Sequence, residues 1–341
     1  MDIMITSLLS LLLAFAISAL LGPVTIPMLK RLHFGQNVRT DGPQTHLKKQ
    51  GTPTMGGIMI LIAVLIATLV FGGSKGYTLP VTALLMSVLF GLLGFADDFI
   101  KIVRKRSLGL RAWQKIAGQF ILSLGFAIWL YFMPDVGSTL WLDRLDIGVS
   151  YIPFAMFVII AIVNSVNLTD GLDGLSSSVT AIYSIATAIL CCLFCFQMSK
   201  TVDPTEALLK SIDNMTGMSV FSCAVAGACI GFLVHNTFPA KVFMGDAGAF
   251  TLGGAVSAMA LLTRTSLLMP LMGICFVASS VSVILQVGSY KLRNKKRVFR
   301  MAPLHHHFEQ GGAPETKIVS MYSIVTVLSS AVALLIFWLA K

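Results

Sequence analysis

Gly91-Leu92-Leu93-Gly94-Phe95-Ala96-Asp97-Asp98-Phe99-Ile100-Lys101-Ile102-Val103-Arg104-Lys105-Arg106 closes an apolar run of membrane length on two adjacent carboxylates and then a dense basic cluster. Charge left uncompensated in hydrocarbon is costly, so paired acids at a membrane edge mark a candidate functional site. Carboxylates supply hard oxygen ligands for a divalent cation, and lysine and arginine hold phosphate-like anions. The two together on one membrane face point to phosphoryl chemistry. A topology signal would account for the basic cluster, but it leaves the consecutive aspartates without a task.

The rest of the chain carries the same membrane signature. Its 341 residues are 56% hydrophobic and 12% charged, and mean hydropathy is +0.84. Globular chains carry about 25% charged residues, so a soluble domain is excluded. Ten apolar segments fall near 3–29, 54–72, 79–98, 112–132, 151–167, 175–196, 217–234, 247–262, 267–290 and 317–340. Each approaches the ~20 residues that a helix needs to cross a bilayer. The expectation is a single all-α domain over 1–341, a polytopic bundle of ten transmembrane helices. Residues 3–21 read as a retained span, since Asp2 and not a basic cluster precedes them. All six cysteines lie inside apolar runs, without zinc or disulfide spacing, and read as small core residues.

Charge fixes the expected orientation. With alternate crossings, nineteen of the 25 basic residues fall in the loops of one side and six in those of the other. The basic side faces the cytoplasm by the positive-inside rule, which puts both termini outside and the chemistry-bearing loops inside. Orientation in a membrane, not nucleic acid, explains the net charge of +10.

The outward loops read as structural. Residues 138–150 alternate around Asp143-Arg144 as a small hairpin. Asp203-Pro204-Thr205-Glu206 resembles a capping box, which predicts a separate short helix over 204–212. Gly227 and Gly231 form a small-residue helix-contact signal.

The inward loops carry the polar constellations. The first holds Lys48, Lys49, Thr52, Pro53, Thr54, Gly56 and Gly57, where exposed N–H groups and hydroxyls suit an anion, or else simply turn the chain. Another carries Asn167, Asp170 and Asp173, three apart. Helical geometry would line them on one face, while the repeated Asp-Gly argues for an unwound turn. Asn167-Leu168-Thr169 matches a glycosylation sequon only formally, given its cytoplasmic placement. The next loop holds Asn236, Lys241, Phe243 and Asp246, with Asp246 either a helix N-cap or a metal ligand. The last holds Gln286, a basic run, and Met301-Ala302-Pro303-Leu304-His305-His306-His307-Phe308-Glu309. Three consecutive histidines diverge on a helix and cannot readily meet one ion. They are either surface groups or a phosphate-facing pair favoured by an anion.

Together these motifs resemble the phospho-N-acetylmuramoyl-pentapeptide transferases, a branch of the polyprenyl-phosphate N-acetylhexosamine-1-phosphate transferase superfamily, over essentially the whole length. Asp97-Asp98-Phe99-Ile100-Lys101, Asn167-Leu168-Thr169-Asp170-Gly171-Leu172-Asp173-Gly174 and Phe243-Met244-Gly245-Asp246 match three superfamily motifs, and 301–309 resembles the muramoyl branch. The resemblance implies a reaction of UDP-N-acetylmuramoyl-pentapeptide with undecaprenyl phosphate, with Mg2+ as cofactor, in a membrane-embedded homodimer. It further implies Asp246 and Asp97 as metal ligands, with Asp97, Asp98, Asp246 and His305 catalytic. Lys49, Thr54, Lys101, Lys115, Asn167, Asp170, Asp173, Asn236, Phe243, Gln286, Ala302 and His306 would bind substrate. Phe243 is open to stacking on uracil or to plain packing. A UDP-N-acetylglucosamine-using sister enzyme would share the aspartates. A secondary transporter would place its acids at the bilayer midplane in repeated halves, and no repeat is visible. A lipid-binding scaffold would need only the basic face.

Overall fold

The computed structural model describes residues 3–32, 51–73, 78–104, 109–141, 145–201, 203 and 205–340. Among these residues, nine helices are long and apolar enough to cross a membrane, and a shorter apolar helix adds a tenth segment. The long helices are α1 (Ile3–Arg31), α3 (Thr78–Val103), α4 (Ala112–Phe132), α5 (Tyr151–Thr169), α6 (Leu175–Met198), α7 (Glu206–Asn236), α8 (Gly245–Leu262), α10 (Ile274–Leu292) and α12 (Glu315–Leu339). The shorter segment is α2 (Gly57–Thr68), continued by a π-turn over Leu69–Gly73. Two further short helices among the described residues are α9 (Met269–Met272) and α11 (Leu304–Glu309).

Three expectations about element boundaries change. The segment at 54–72 becomes helical only at Gly57, because Pro53–Gly56 is drawn alongside Phe243: Phe243 N donates to Pro53 O at 2.8 Å and Gly56 N to Phe243 O at 2.9 Å. The 267–290 segment is broken at Gly273 between α9 and α10. Among the described residues 205–212, no separate helix forms. Thr205 is the N-cap, its hydroxyl accepting from Leu208 N at 3.3 Å, and α7 runs unbroken from Glu206 to Asn236. The polar first turns simply extend an apolar helix beyond its membrane-length part.

Helices α7 and α8 form the centre. Nearly every side chain of α8 is buried, many of them Gly, Ala or Ser, and small residues let helix backbones approach closely where lipid supplies no hydrophobic drive. α3 and α5 pack on α8, while α1 and α6 pack on α7. The Gly227/Gly231 signal proves to be an intrachain contact. A Cβ at Gly227 would collide with Leu11 O, and one at Gly231 with Phe15 O, so α1 lies directly on the backbone of α7. Peripheral helices expose Leu8, Leu12 and Leu20 of α1, and Leu328, Val332 and Leu335 of α12. Such residues match a lipid surface, where apolar side chains meet no water.

The expected hairpin is present as β1 (Thr139–Leu140) and β2 (Leu145–Asp146), antiparallel, with Thr139 opposite Asp146. Its tip at 142–144, with Asp143 and Arg144, lies outside the described residues. Asp146 Oδ1 accepts from Ser138 Oγ at 2.6 Å and from Gly148 N at 2.9 Å, and these donors lower its pKa.

Candidate functional site

The C-terminal end of α3 meets the N-terminal end of α8. Gly94 makes this possible, since a Cβ there would collide with the carbonyl oxygen of Asp246. The close approach brings Asp97, Asp98 and Asp246 together, with one ligand oxygen from each lying within 4.8 Å of the others. Asp97 and Asp98 are buried. Asp246 keeps 15% side-chain exposure, so the cluster has an open side.

Each acid is held by specific donors. Asp97 Oδ1 accepts from Leu110 N at 2.7 Å, tying the start of α4 to the cluster. Asp98 Oδ2 accepts from Ala247 N at 2.9 Å, in the first turn of α8, where the free N–H groups and helix dipole favour an anion. Asp246 Oδ1 accepts from Asn167 Nδ2 at 2.9 Å. Asp246 is not the N-cap of α8. That position is Met244, and the carboxylate turns instead toward Lys101 and Lys115, each 2.7 Å from its Oδ2. The same two ammoniums contact Asp97 Oδ2 at 2.7 and 2.9 Å.

The donor set suits a hard divalent cation. Three convergent carboxylates offer only oxygen, the chemistry that Mg2+, Ca2+ and Mn2+ prefer and that a soft-metal site lacks. Asp97 Oδ2 is buried, with the ammoniums of Lys101 and Lys115 at 2.7 and 2.9 Å. A buried carboxylate oxygen already held by cations suits a cationic ligand. Asp97 and Asp246 therefore fit the role that the resemblance implied.

The remaining expected residues sort by position. Asn167 lies in the last turns of α5, whereas Asp170 and Asp173 lie in the turn that follows. Helix and unwound turn thus divide the motif between them. Burial, reinforced by the carboxylates of Asp246, Asp98 and Asp173, pushes the Asp170 carboxyl up to about 8, although part of its surface still meets solvent. Asp173 Oδ2 accepts from Ala240 N at 3.0 Å, and Asn236 links Gly174 N to Val242 O. Those two side chains pin the 170–174 turn to the 236–242 loop. Thr54 Oγ1 and Asp98 Oδ2 both border Gly245, where a Cβ would crowd them. Phe243, half-buried, joins the 53–56 segment through its backbone.

The histidine segment closes one wall. His305 and His306, on α11, are buried, so the surface reading does not hold for them. Their rings lie 4.3 Å apart, and a Cβ on Gly171 would meet Nε2 of both. α11 therefore packs directly on the Asp170-Gly171 turn. His306 Nδ1 pairs with Glu309 Oε2 at 2.9 Å, a partner one helical turn away. Gln286 fastens the basic segment, accepting from Val298 N and Phe299 N and donating to Phe299 O at 3.1 Å. Ala302 immediately precedes Pro303, the N-cap of α11. Lys49 lies outside the described residues.

Sequence reasoning missed several supporting groups. Glu309 had a signal, since its i,i+3 spacing from His306 predicts a helical pair. Glu315, which accepts from Asp173 N at 3.4 Å, had none. The mutual pairing of Gln119 on α4 with Asn164 on α5 (2.7 and 3.4 Å) also needed the packing to be seen.

Comparison with known proteins agrees with this geometry. Residues 80–264 match the family model for glycosyl transferase family 4, and residues 49–61 match a phospho-N-acetylmuramoyl-pentapeptide-transferase signature. The phospho-N-acetylmuramoyl-pentapeptide-transferase of Heliobacterium modesticaldum is 46% identical over 328 residues, covering 95% of both chains. That of Clostridioides difficile is 45% identical with the same coverage. The Thermodesulfovibrio yellowstonii protein of the same name is 42% identical, covering 96% of this chain and 92% of its own. With a signature at the mouth of α2, a family model spanning the three acids, and relatives matched nearly end to end, the chain belongs to the phospho-N-acetylmuramoyl-pentapeptide-transferase family.

Proposed function

We propose that this chain transfers phospho-N-acetylmuramoyl-pentapeptide from UDP-N-acetylmuramoyl-pentapeptide to undecaprenyl phosphate, producing UMP and lipid I for peptidoglycan synthesis. One observation carries the reading: Asp97, Asp98 and Asp246 converge with Lys101 and Lys115 at the meeting of two helix ends. In the reaction a lipid phosphate oxygen bonds to the β-phosphorus, the bond to the α-phosphate bridging oxygen breaks, and UMP leaves with that electron pair. One pyrophosphate replaces another, so catalysis is chiefly positioning and charge stabilisation.

Mg2+ held by Asp246 and Asp97 would offset charge on the diphosphate and assist departure of UMP. Asp98 accepts the proton of the lipid phosphate where it carries one. Lys101 and Lys115, with Lys49 and Thr54 from the first loop, contact the phosphates. Phe243, Asn167, Asp170, Asp173, Asn236 and Gln286 form or brace the nucleotide-sugar side, and Ala302, His305 and His306 the sugar-phosphate side. The charge asymmetry of the loops supports ten spans, termini outside, and this site opening to the cytoplasm of a bacterial plasma membrane. A homodimer remains part of the reading by family resemblance.

Donor choice tests the assignment. Purified protein with Mg2+ and undecaprenyl phosphate is expected to release UMP from UDP-N-acetylmuramoyl-pentapeptide and to leave UDP-N-acetylglucosamine essentially untouched, because unpaired polar groups penalise the wrong donor by several kcal/mol. His306→Ala should raise the donor KM or lower turnover. Efficient use of UDP-N-acetylglucosamine would move the chain to the sister activity.

A further inference from the structure

Lys101 Nζ contacts all three acids, at 2.7 Å from Asp97 Oδ2, 3.0 Å from Asp98 Oδ1 and 2.7 Å from Asp246 Oδ2. Lys115 Nζ contacts two, at 2.9 Å from Asp97 Oδ2 and 2.7 Å from Asp246 Oδ2. The oxygens that both ammoniums share thus belong to the two residues proposed as metal ligands. A carboxylate oxygen has limited lone-pair capacity, and a hard cation needs the same lone pairs that the N–H donors use. A divalent cation and two ammoniums also repel one another at contact distance in a part-buried site.

We infer that Lys101 and Lys115 compete with the metal for Asp97 Oδ2 and Asp246 Oδ2, and that metal entry turns both ammoniums onto the diphosphate of the donor. This rests on the proposed metal reading and deepens it. The side chains permit the movement: each lysine is about a quarter exposed, at 28% and 27%, and so stands on the open side of the cluster. Four-carbon stems with freely rotating ammoniums can change partner without backbone displacement. Without metal, the lysines offset the mutual repulsion of three close carboxylates. With metal, the acids no longer need them, and a diphosphate does. Metal and diphosphate therefore bind cooperatively, because whatever draws the ammoniums away assists the other ligand, reciprocally.

Mn2+ is the probe, its free concentration read by electron paramagnetic resonance, with UDP as the diphosphate. Wild type, Lys115→Gln and Asp246→Asn are compared as purified full-length chains. Lys115→Gln leaves Lys101 in contact with all three carboxylates, so the acids keep a counter-ion. Lys115→Gln is expected to bind Mn2+ alone roughly tenfold or more tightly than wild type, the order of one charge contact at a site part-open to solvent, and to gain less from UDP. Its metal-free melting temperature should fall, and Mn2+ should raise it by more than in wild type. Intrinsic chelation of Mn2+ by UDP is common to all three proteins and cancels in the comparison. Equal or weaker Mn2+ binding by Lys115→Gln, with binding lost in Asp246→Asn, overturns the competition while leaving the metal reading intact. Wild-type Mn2+ affinity in Asp246→Asn overturns the metal reading and the competition with it. Lys101→Gln repeats the measurement through the other ammonium if Lys115→Gln does not fold.

Discussion

Lys101 Nζ and Asp246 Oδ2 stand 2.7 Å apart although 145 positions separate them in the chain. The contact joins the end of one spanning helix to the start of another. It makes the cluster a property of how α3 crosses α8, not of any one loop.

Asp97→Asn, Asp98→Asn and Asp246→Asn should each lower kcat by about a hundredfold or more, about 3 kcal/mol of transition-state stabilisation, with unchanged elution on size exclusion. Asp213→Asn, near the other end of α7, should keep wild-type turnover. Comparable losses at all four positions would indicate a folding effect.

Gly94→Ala should lower the melting temperature and turnover together, because its methyl group collides with the Asp246 main chain and overpacking of this kind costs about 1–3 kcal/mol. Gly125→Ala is the matched control. Nothing lies within 4 Å of a Cβ at that helical position, so the change should be neutral or stabilising by up to about 1 kcal/mol. Equal melting temperatures for the two variants would refute a packed α3–α8 crossing.

Asp170 gives a pH signature in metal-free protein. Its folded pKa of about 8 lies above the ordinary carboxylate value, so the folded chain holds a proton there that the unfolded chain has lost. The contribution to stability is present below the unfolded value of about 4 and is lost as pH rises to about 8. Asp170→Asn should flatten the fall in melting temperature across that interval. A wild-type slope unchanged by the substitution would assign the pH dependence elsewhere.

Orientation can be read by cysteine labelling on a background cleared of native cysteines. Arg297→Cys should be protected from an impermeant reagent in intact cells and modified in inverted vesicles. Lys200→Cys should show the opposite pattern. Modification of both from the same side would defeat the alternating topology.

Much of this was legible from sequence because apolar length and charge distribution act locally. The ten apolar segments all appear as helices, and the hairpin follows from alternation around its turn. The failures share a cause. A polar turn before an apolar run, as at Glu206, reads as a separate helix unless one sees that α7 continues through it. The late start of α2 depends on a partner far away in the chain, Phe243. At the site, the acids announced themselves as charges in apolar surroundings. The commitments of Asn236, Asp173 and Gln286 to loop backbone had no sequence signal, since a hydrogen bond to a main-chain atom leaves no complementary residue type to find.

The approach of Gly94 to the Asp246 carbonyl also bears on how an inhibitor of this chain could be evaded. A compound anchored on the carboxylate cluster grips atoms whose placement is fixed by main-chain contact. Substitutions that dislodged it there would dislodge Asp246 as well. Under the proposed function, resistance that preserves activity would then fall on neighbouring side chains, such as Phe243 and the segment from His305 to Glu309. Compounds reaching least toward those side chains would leave the fewest routes of escape.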